Sequence, residues 1–350
     1  MFFLAVGYAT FSTTISLHAK GNVYPTISID DLKGTVVTSG DGLYDNGDGS
    51  YTYKGGSPAN YLKLGNDIYR IMEIESDNKL KVIKEDSMIL PLDLGYSSSI
   101  NGITSNSSIN GTRYSSESTD YCYLSSESEY RGCNSWGSAS TTLDSNGNNV
   151  TTRPLVVGDS TTLRNLPKYD SYLNVYLNGG RYLTTSSSGN SNTYQEITGW
   201  IEGLSYKSLI EEHSFDIGTI ATISNQTLAE DISQAHAYTW KGKVGLITAI
   251  DYVKASTNSE CTGVYAYYQN SACYNNGNIH NYLIKTNSQW TMSSYSYSYP
   301  YREWHASTTN LGSDYPYDTI GVCPIIYLKS NIRLMGTGNS ISSAYTVVSR

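Results

Sequence analysis

Tyrosine replaces phenylalanine through almost the whole chain, and this bias limits the folds that the sequence can build. The 350 residues include 33 tyrosines but only 4 phenylalanines, among them Phe2, Phe3 and Phe11 near the start. Every tyrosine that enters a core brings a hydroxyl that needs a hydrogen-bond partner or water. The bias therefore favours wide, hydrated β-surfaces and extracellular loops over the dry core of a cytosolic enzyme.

Short alternating runs between turn dipeptides predict an α+β protein built mostly from twisted antiparallel β-sheet. Asn46-Gly47 and Asp48-Gly49 are turn signals between strand-like runs. The acidic residues there do not have the spacing of a calcium-binding loop, so we expect a turn and no metal. Further strands are expected at 61–74 with 79–84, at 240–248, at 320–328 and, as a closing pair, at 331–348. Short helices are expected at 170–183, 205–213, 227–238 and 251–256.

The predicted domain organisation is one domain over residues 24–350 after a separate leading segment. Residues 1–9 are apolar but shorter than the roughly 20 residues that cross a bilayer, and no basic segment precedes them. We expect residues 1–23 to be the remnant of a signal or anchor segment with a leading strand; the alternative is that residues 1–9 are a first buried strand. Residues 97–159 are rich in Ser, Asn, Thr and Gly, which predicts a long surface loop inserted in the domain.

The cysteines are spaced as two local pairs and one single residue. Cys122 with Cys133, and Cys261 with Cys273, each bracket a short polar loop, which is typical of disulfides formed in an oxidising compartment. The alternative is four free thiols. Neither pair has the spacing of a zinc site. Cys323 lies in an apolar run and is expected to be a buried thiol.

Charge and motifs exclude several functional classes. The net charge is −8 and no basic run occurs, so nucleic-acid binding is not expected. The sequence holds no nucleophile elbow, zinc-protease motif, phosphate-binding loop or dinucleotide-binding glycine pattern. The five histidines are scattered, and no catalytic residue or cofactor is predicted.

The segment 290–329 is the candidate ligand-binding surface. Tyrosine alternates with serine through its first part, and arginine, tryptophan and histidine follow, which is the composition that binding loops use for contact area and adaptable hydrogen bonds. The alternative is one face of a half-exposed sheet that binds nothing. The predicted ligand-binding residues are Tyr295, Tyr297, Tyr299, Tyr301, Arg302, Trp304, His305, Tyr315 and Tyr317.

Motifs along most of the chain, from about residue 7 to 347, resemble a family of exported surface proteins of Gram-positive bacteria. The family pattern has a YKG-x-x-P-x-N-Y opening, a Y-R-I segment, a lysine-led hydrophobic strand and a G-V-x-P ending. The matching stretches begin at Tyr53, Tyr69, Lys81, His213, Trp240, Asp251, Trp290 and Gly321.

The resemblance implies a C-type-lectin-like fold, similar to that of the formylglycine-generating, sulfatase-modifying proteins. In such folds a twisted C-terminal sheet displays aromatic and polar side chains for ligand binding. The catalytic cysteine motif of the formylglycine-generating enzymes is not matched, and Cys323 stands where relatives often carry arginine, so their activity is not carried over.

The sequence therefore predicts an exported or cell-surface recognition or adhesion protein that binds a glycan or protein ligand. A membrane anchor upstream of residue 1 and self-association are compatible with this prediction. The alternatives are a structural subunit of a surface layer or filament, and a sulfatase-modifier-like enzyme.

Overall fold

Two β-sheets joined by one continuous segment organise the chain in the computed structural model. The segment runs through β20 (Ile320–Val322) of the smaller sheet and β21 (Ile325–Leu328) of the larger, with Cys323 and Pro324 between them. Proline has no N–H to donate to a sheet, so it favours the point at which the chain changes sheets. The structure describes residues 25–94, 99–101, 103–104, 136, 142–143, 149–150, 170–185, 193–218, 220, 224–236, 239–275, 279–295 and 302–348.

The larger sheet has ten strands and is mostly antiparallel. Its central order is β13-β21-β5-β4-β3-β23-β22, with β16 beside β21, and with β2 beside β4 and paired to β1. Labels follow chain order. Its strands are β1 (Gly42–Asp45), β2 (Tyr51–Lys54), β3 (Tyr61–Leu64), β4 (Asp67–Ile74), β5 (Leu80–Lys84), β13 (Ile210–Glu211), β16 (Val244–Gly245), β21 (Ile325–Leu328), β22 (Arg333–Met335) and β23 (Tyr345–Val348).

The smaller sheet has five strands in the order β19-β18-β17-β20-β6. Its strands are β6 (Met88–Leu90), β17 (Gln289–Ser294), β18 (Glu303–Ala306), β19 (Leu311–Asp314) and β20 (Ile320–Val322). The remaining strands form two-stranded ribbons: β7 (Ser99–Ile100) with β8 (Ile103–Thr104), β9 (Thr142–Leu143) with β10 (Asn149–Val150), β11 (Gly180–Thr185) with β12 (Thr193–Ile197), and β14 (His213–Asp216) with β15 (Thr239–Gly242).

Short helices pack around the sheets, and side-chain caps begin most of them. A Thr248 cap with Asp251 three residues later begins the helix α4, and Ser293 of β17 accepts a hydrogen bond from the backbone N–H of Ala249 at 3.0 Å. This contact ties α4 to the smaller sheet. The helices of the described residues are α1 (Ile29–Lys33), α2 (Tyr172–Asn178), α3 (Leu228–His236), α4 (Ala249–Lys254), α5 (Val264–Gln269) and α6 (Ser271–Tyr274), with 3-10 turns at Trp200–Gly203, Lys207–Leu209 and Ile341–Ser343.

The described chain is thus a mixed α+β structure of mostly curled sheets with short helices, as the sequence predicted at that level. The hairpins β1–β2 and β4–β5 and the closing pair β22–β23 are confirmed. In the first turn, carboxylates of Asp45 and Asp48 accept backbone N–H groups two residues on, which supports the interpretation of a turn. Residues 1–24 and most of the inserted loop 97–159 lie outside the described residues.

The helix predictions were correct in part. The helix predicted at 227–238 forms α3, and its Thr227 and Glu230 make the expected reciprocal cap. The helix predicted within 170–183, with its end near Gly179-Gly180, forms α2: Gly179 and Gly180 take positive φ angles, and β11 begins at Gly180. The helix predicted at 205–213 is wrong: a single 3-10 turn leads into β13 and β14, which pair with β21 and β15. Tertiary strand pairing has overridden a weak local preference.

The apolar run 320–328 was predicted as one buried strand, and the structure divides it into β20 and β21 at Cys323-Pro324. Among the described residues, no helix combines the length and apolar character needed to cross a membrane.

Candidate functional site

A cleft of about 380 Å³ lies over one face of the larger sheet, where β14, α3, α4 and the β1–β2 turn surround it. Its lining is dominated by ionisable and aromatic side chains. These are Asp48, Glu73, Glu75, Lys81, His213, Phe215, Asp216, His236, Asp251, Lys254 and Tyr327.

A row of three cross-strand neighbours forms the floor of the cleft. Lys81 of β5 lies opposite Glu73 of β4 on one side and opposite Tyr327 of β21 on the other. The β4–β5 register shifts between Ile71 and Glu73, so that Glu73 rather than Met72 lies opposite Lys81. A bulge of this kind changes which face of a sheet a side chain occupies. The irregularity therefore places an acidic side chain beside the buried lysine.

Two ion pairs connect this floor to the helix α4. The Lys81 Nζ atom lies 2.5 Å from the Asp251 carboxylate, and both side chains are at least nine-tenths buried. Lys254, one turn further along α4, lies 3.0 Å from the Glu73 carboxylate. The other carboxylate oxygen of Asp251 accepts the backbone N–H of Thr248 at 2.8 Å, which fixes the rotamer of Asp251. The pairs are therefore held by rigid elements on both sides.

The buried pair keeps both of its charges. Burial alone would lower the pKa of Lys81, but the charge and hydrogen bond of Asp251 hold that pKa well above its ordinary value. Burial alone would likewise raise the pKa of Asp251, but Lys81 and the Thr248 backbone hold it below its ordinary value. The two ions neutralise each other inside the cleft wall.

Tyr327 lines the cleft with an enclosed side chain. The side chain is 4% exposed and its ring stacks on that of His213, with centroids 3.6 Å apart and planes at 16°. Burial, followed by the charges of Lys81 and Lys79, lowers the pKa of His213 to about 4, so the imidazole is neutral at neutral pH. No group in the described part of the chain makes a hydrogen bond with the Tyr327 hydroxyl, although the ring is nearly enclosed.

Glu75 is the second group with unused hydrogen-bonding capacity. It follows the end of β4, is half-buried, and has no ion-pair partner among the described residues. Burial and the neighbouring charge of Glu73 raise its pKa to about 7. At the rim, the Asp216 carboxylate lies 2.9 Å from the His236 ring, and burial raises the pKa of Asp216 despite that contact. The cleft therefore contains paired charges, and neither the Glu75 carboxyl nor the Tyr327 hydroxyl has a partner among the described residues.

The predicted aromatic surface is only partly assembled in the structure. Trp304 is a correction: it is 0% exposed and packs against Tyr268 and Tyr295, so it is a core residue that no surface ligand reaches. Its neighbour Tyr295, directly after β17, is half-buried, and His305 lies against Trp290 with its ring mostly enclosed. Tyr297, Tyr299 and Tyr301 lie outside the described residues.

Three of the predicted residues do form a surface cluster, which we call the Arg302 platform. Tyr315 and Tyr317 stack with parallel planes and centroids 5.7 Å apart, and the Arg302 guanidinium lies 4.8 Å from the Tyr315 ring centre. Tyr317 is 36% exposed, which leaves an aromatic side chain at the surface. A flat aromatic group beside a guanidinium can contact a sugar ring or a peptide side chain.

A buried carboxyl group adjoins Trp304 on β18. Glu303 is 0% exposed, and neither of its carboxylate oxygens has a hydrogen-bond partner within the described part of the chain. Burial raises the pKa of Glu303 well above its ordinary value. Residue types alone gave no indication that this charged residue is in the core.

One of the two predicted disulfides is confirmed. Cys261 and Cys273 are bonded across a sequence separation of 12 residues, around the helices α5 and α6. Cys323 is a buried free thiol, as expected, and burial raises its pKa to about 11. Cys122 and Cys133 lie outside the described residues. No group of three or more His, Cys, Asp or Glu side chains in the described part of the chain could hold a metal ion.

Sequence reasoning did not predict the cleft, yet one signal for it was present. The motifs on which the family resemblance rests contribute Lys81, His213, Asp251 and Tyr327, which are far apart in sequence and converge here. Comparison of the chain with protein-family models, curated proteins and solved structures found no match.

Proposed function

We propose that the protein is an extracellular recognition protein that binds a polar ligand, either a glycan or a protein segment, in the cleft over Tyr327. The observation that carries the proposal is the unused hydroxyl of a tyrosine that is 4% exposed and lines a cleft of about 380 Å³. Buried hydroxyls normally find partners, so an open one in a cavity is a site for a ligand atom.

Rigidity of the surroundings supports the same proposal. The ring of Tyr327 is fixed by His213, and the Lys81–Asp251 pair behind it is fixed by the cap of α4. Such an arrangement is ordered before a ligand arrives, which reduces the entropy that binding must overcome. The charges of Lys81 and Asp251 are paired with each other, so the few unpaired groups of the cleft orient the ligand and determine the specificity of binding.

The Arg302 platform is a second candidate for the ligand contact. The parallel stacking of Tyr315 and Tyr317 and the exposure of Tyr317 favour it. It is the part of the predicted ligand-binding surface that remains after Trp304 is assigned to the core. This candidate differs from the cleft because its contacts are shallow and aromatic rather than enclosed and charged.

The proposal extends to the fold and the location of the protein. The mixed arrangement of curled sheets and short helices is compatible with a C-type-lectin-like fold, and the sequence motifs favour membership of an exported surface family. The Cys261–Cys273 disulfide is compatible with an oxidising compartment outside the cytosol.

A binding screen of the oxidised protein on glycan and peptide arrays tests this function. The matched variants are Tyr327→Phe, which removes one hydroxyl from the cleft, and Tyr345→Phe, which removes one from a buried tyrosine that does not line it. A bound ligand should lose about tenfold in affinity with Tyr327→Phe and little with Tyr345→Phe.

Two other results would favour a different binding site or a structural role. Binding that is unchanged by Tyr327→Phe but lost with Tyr317→Ala would assign recognition to the Arg302 platform. Concentration-dependent assembly in light scattering, with no hit on either array, would favour a structural subunit of a surface layer or filament.

A further inference from the structure

The cleft has more negative than positive groups. Its lining carries five carboxyl groups and two lysines. Both lysines are committed, Lys81 to Asp251 and Lys254 to Glu73. His213 adds no positive charge at neutral pH because burial and the nearby lysines lower its pKa to about 4. The unpaired negative charge of the cleft would therefore repel an anionic ligand group and attract a cationic one.

Two of the three remaining carboxyl groups already have local contacts. Asp216 contacts His236 at the rim, and Asp48 is exposed and accepts the hydroxyl and backbone N–H of Ser50. Glu75 differs, since neither a hydrogen bond nor an ion pair to its carboxyl is found within the described residues. It is close enough to Tyr327 for its charge to act on that hydroxyl.

Glu75 and Tyr327 thus offer the cleft one carboxylate and one enclosed phenol oxygen without a partner among the described residues, and both can accept hydrogen bonds. A primary ammonium group has three N–H donors and no acceptor, so it matches two such oxygens and keeps one donor for a water or for the ligand itself. Because His213 stacks against the Tyr327 ring, the phenol oxygen is held in place while it accepts.

Resting on the proposed function, we infer that the cleft recognises its ligand through a primary ammonium group received by Glu75 and Tyr327. The group has two natural sources, an amino sugar and the side chain of lysine. An N-acetylated form of either keeps the shape of the ligand and loses the charge, which makes it a matched probe.

The inference predicts a specific dependence on pH. Glu73, Lys81, Lys254 and Asp77 surround Glu75, and burial with the Glu73 charge raises its pKa to about 7. Ionised Glu75 is the form that attracts a cation, so affinity rises as pH rises through 7. Between pH 6 and pH 8 the ionised fraction changes about tenfold, whereas a lysine side chain stays charged throughout.

Isothermal titration of the oxidised protein with four probes tests the inference. The probes are Nα-acetyl-lysine amide, its Nε-acetylated form, glucosamine and N-acetylglucosamine, compared at pH 7; the lysine pair is repeated at pH 6 and pH 8. At least one ammonium probe should bind about tenfold or more tightly than its acetylated partner. For the lysine source, the preference should grow about tenfold from pH 6 to pH 8. The probe pair that shows this preference identifies the source of the ammonium group as a lysine side chain or an amino sugar.

Two variants test whether Glu75 of the cleft, rather than a carboxylate elsewhere on the surface, binds the ammonium group. Glu75→Gln should abolish the preference for the ammonium probe and its pH dependence, while Glu260→Gln, at an exposed glutamate outside the cleft, should leave both unchanged. Thermal melts of both variants establish that they fold.

The outcomes distinguish this inference from the proposed function. Equal binding of charged and acetylated probes, lost in Tyr327→Phe, overturns the ammonium inference and keeps the cleft as the binding site. A preference for ammonium that survives in Glu75→Gln, or binding of none of the four probes, also overturns the inference. A ligand on the arrays that depends on Tyr327 would still support the proposed function.

Discussion

Neutralising Asp251 should strongly destabilise the protein, because the change leaves the ammonium of Lys81 buried without its partner. The two side chains are 6% and 10% exposed and 2.5 Å apart. Removing one member of such a pair costs about 3–5 kcal/mol. Asp251→Asn is the informative change, because the amide oxygen can still accept the Thr248 backbone N–H that the carboxylate now accepts at 2.8 Å. Asp251→Ala removes that cap as well and should cost about 1 kcal/mol more.

A double-mutant cycle with Lys81→Met isolates the pair. Each single variant leaves one buried charge, whereas Lys81→Met with Asp251→Asn leaves none. The double variant should therefore be less destabilised than the two single losses added together, with a coupling of about 2 kcal/mol or more. Urea denaturation followed by tryptophan fluorescence measures all four proteins. Additive losses, or an Asp251→Asn loss below about 1 kcal/mol, would show that the pair is not buried as described.

The pH dependence gives an independent check. The pKa of folded Asp251 lies below its ordinary value, so its stabilising effect is present above about pH 4 and is lost as pH falls through the folded value. The pKa of folded Lys81 lies above its ordinary value, so its effect is present below about pH 10 and is lost above that. The pair should thus give wild type no pH dependence of stability from about pH 5 to pH 9. In Asp251→Asn, burial without the partner lowers the pKa of Lys81, so the loss of stability should shrink as pH rises toward 9.

Three further outcomes follow from burial and bonding. Glu303→Gln should raise the free energy of unfolding in chemical denaturation. The gain should grow above about pH 4.5, because the raised pKa of folded Glu303 makes wild type lose stability as pH rises. A gain that is constant with pH would contradict the burial of Glu303. Trp304→Ala should cost about 3–5 kcal/mol, whereas Tyr317→Ala should change stability by less than about 0.5 kcal/mol, and equal losses in thermal melts would show that Trp304 is not core. Reduction of Cys261–Cys273 should lower stability by about 2–4 kcal/mol, as measured by denaturation with and without reductant, and no change would indicate that the bond does not constrain the chain.

Local chemistry made much of the fold predictable. The Asn-Gly and Asp-Gly turns gave the β1–β2 hairpin, and Thr227 followed by Glu230 gave the start of α3. These signals act within a few residues, so they depend little on which distant strands become neighbours. The same kind of signal was present but unused in Ser28 and Asp31, which cap α1.

The cleft could not be predicted in this way, because its groups meet only through pairing of distant strands. Lys81 and Asp251 are 170 positions apart. The register shift at Met72 that brings Glu73 opposite Lys81 has no glycine or turn residue to announce it. Sequence patterns show which residues alternate, but they do not show which strand becomes the neighbour.

The aromatic surface illustrates a different difficulty. Tyrosine and tryptophan suit both cores and contact surfaces, so composition did not separate buried Trp304 from exposed Tyr317. Both positions lie in the segment rich in aromatic and polar residues, but Trp304 is on β18 of the smaller sheet, whereas Tyr317 is in the turn between β19 and β20.

The central claim is that the cleft over Tyr327 is the binding site, and a crystal structure with a ligand from the arrays tests it most directly. The account predicts a polar ligand atom within hydrogen-bonding distance of the Tyr327 hydroxyl. A ligand ordered on the Arg302 platform instead, with the cleft holding only solvent, would contradict the claim.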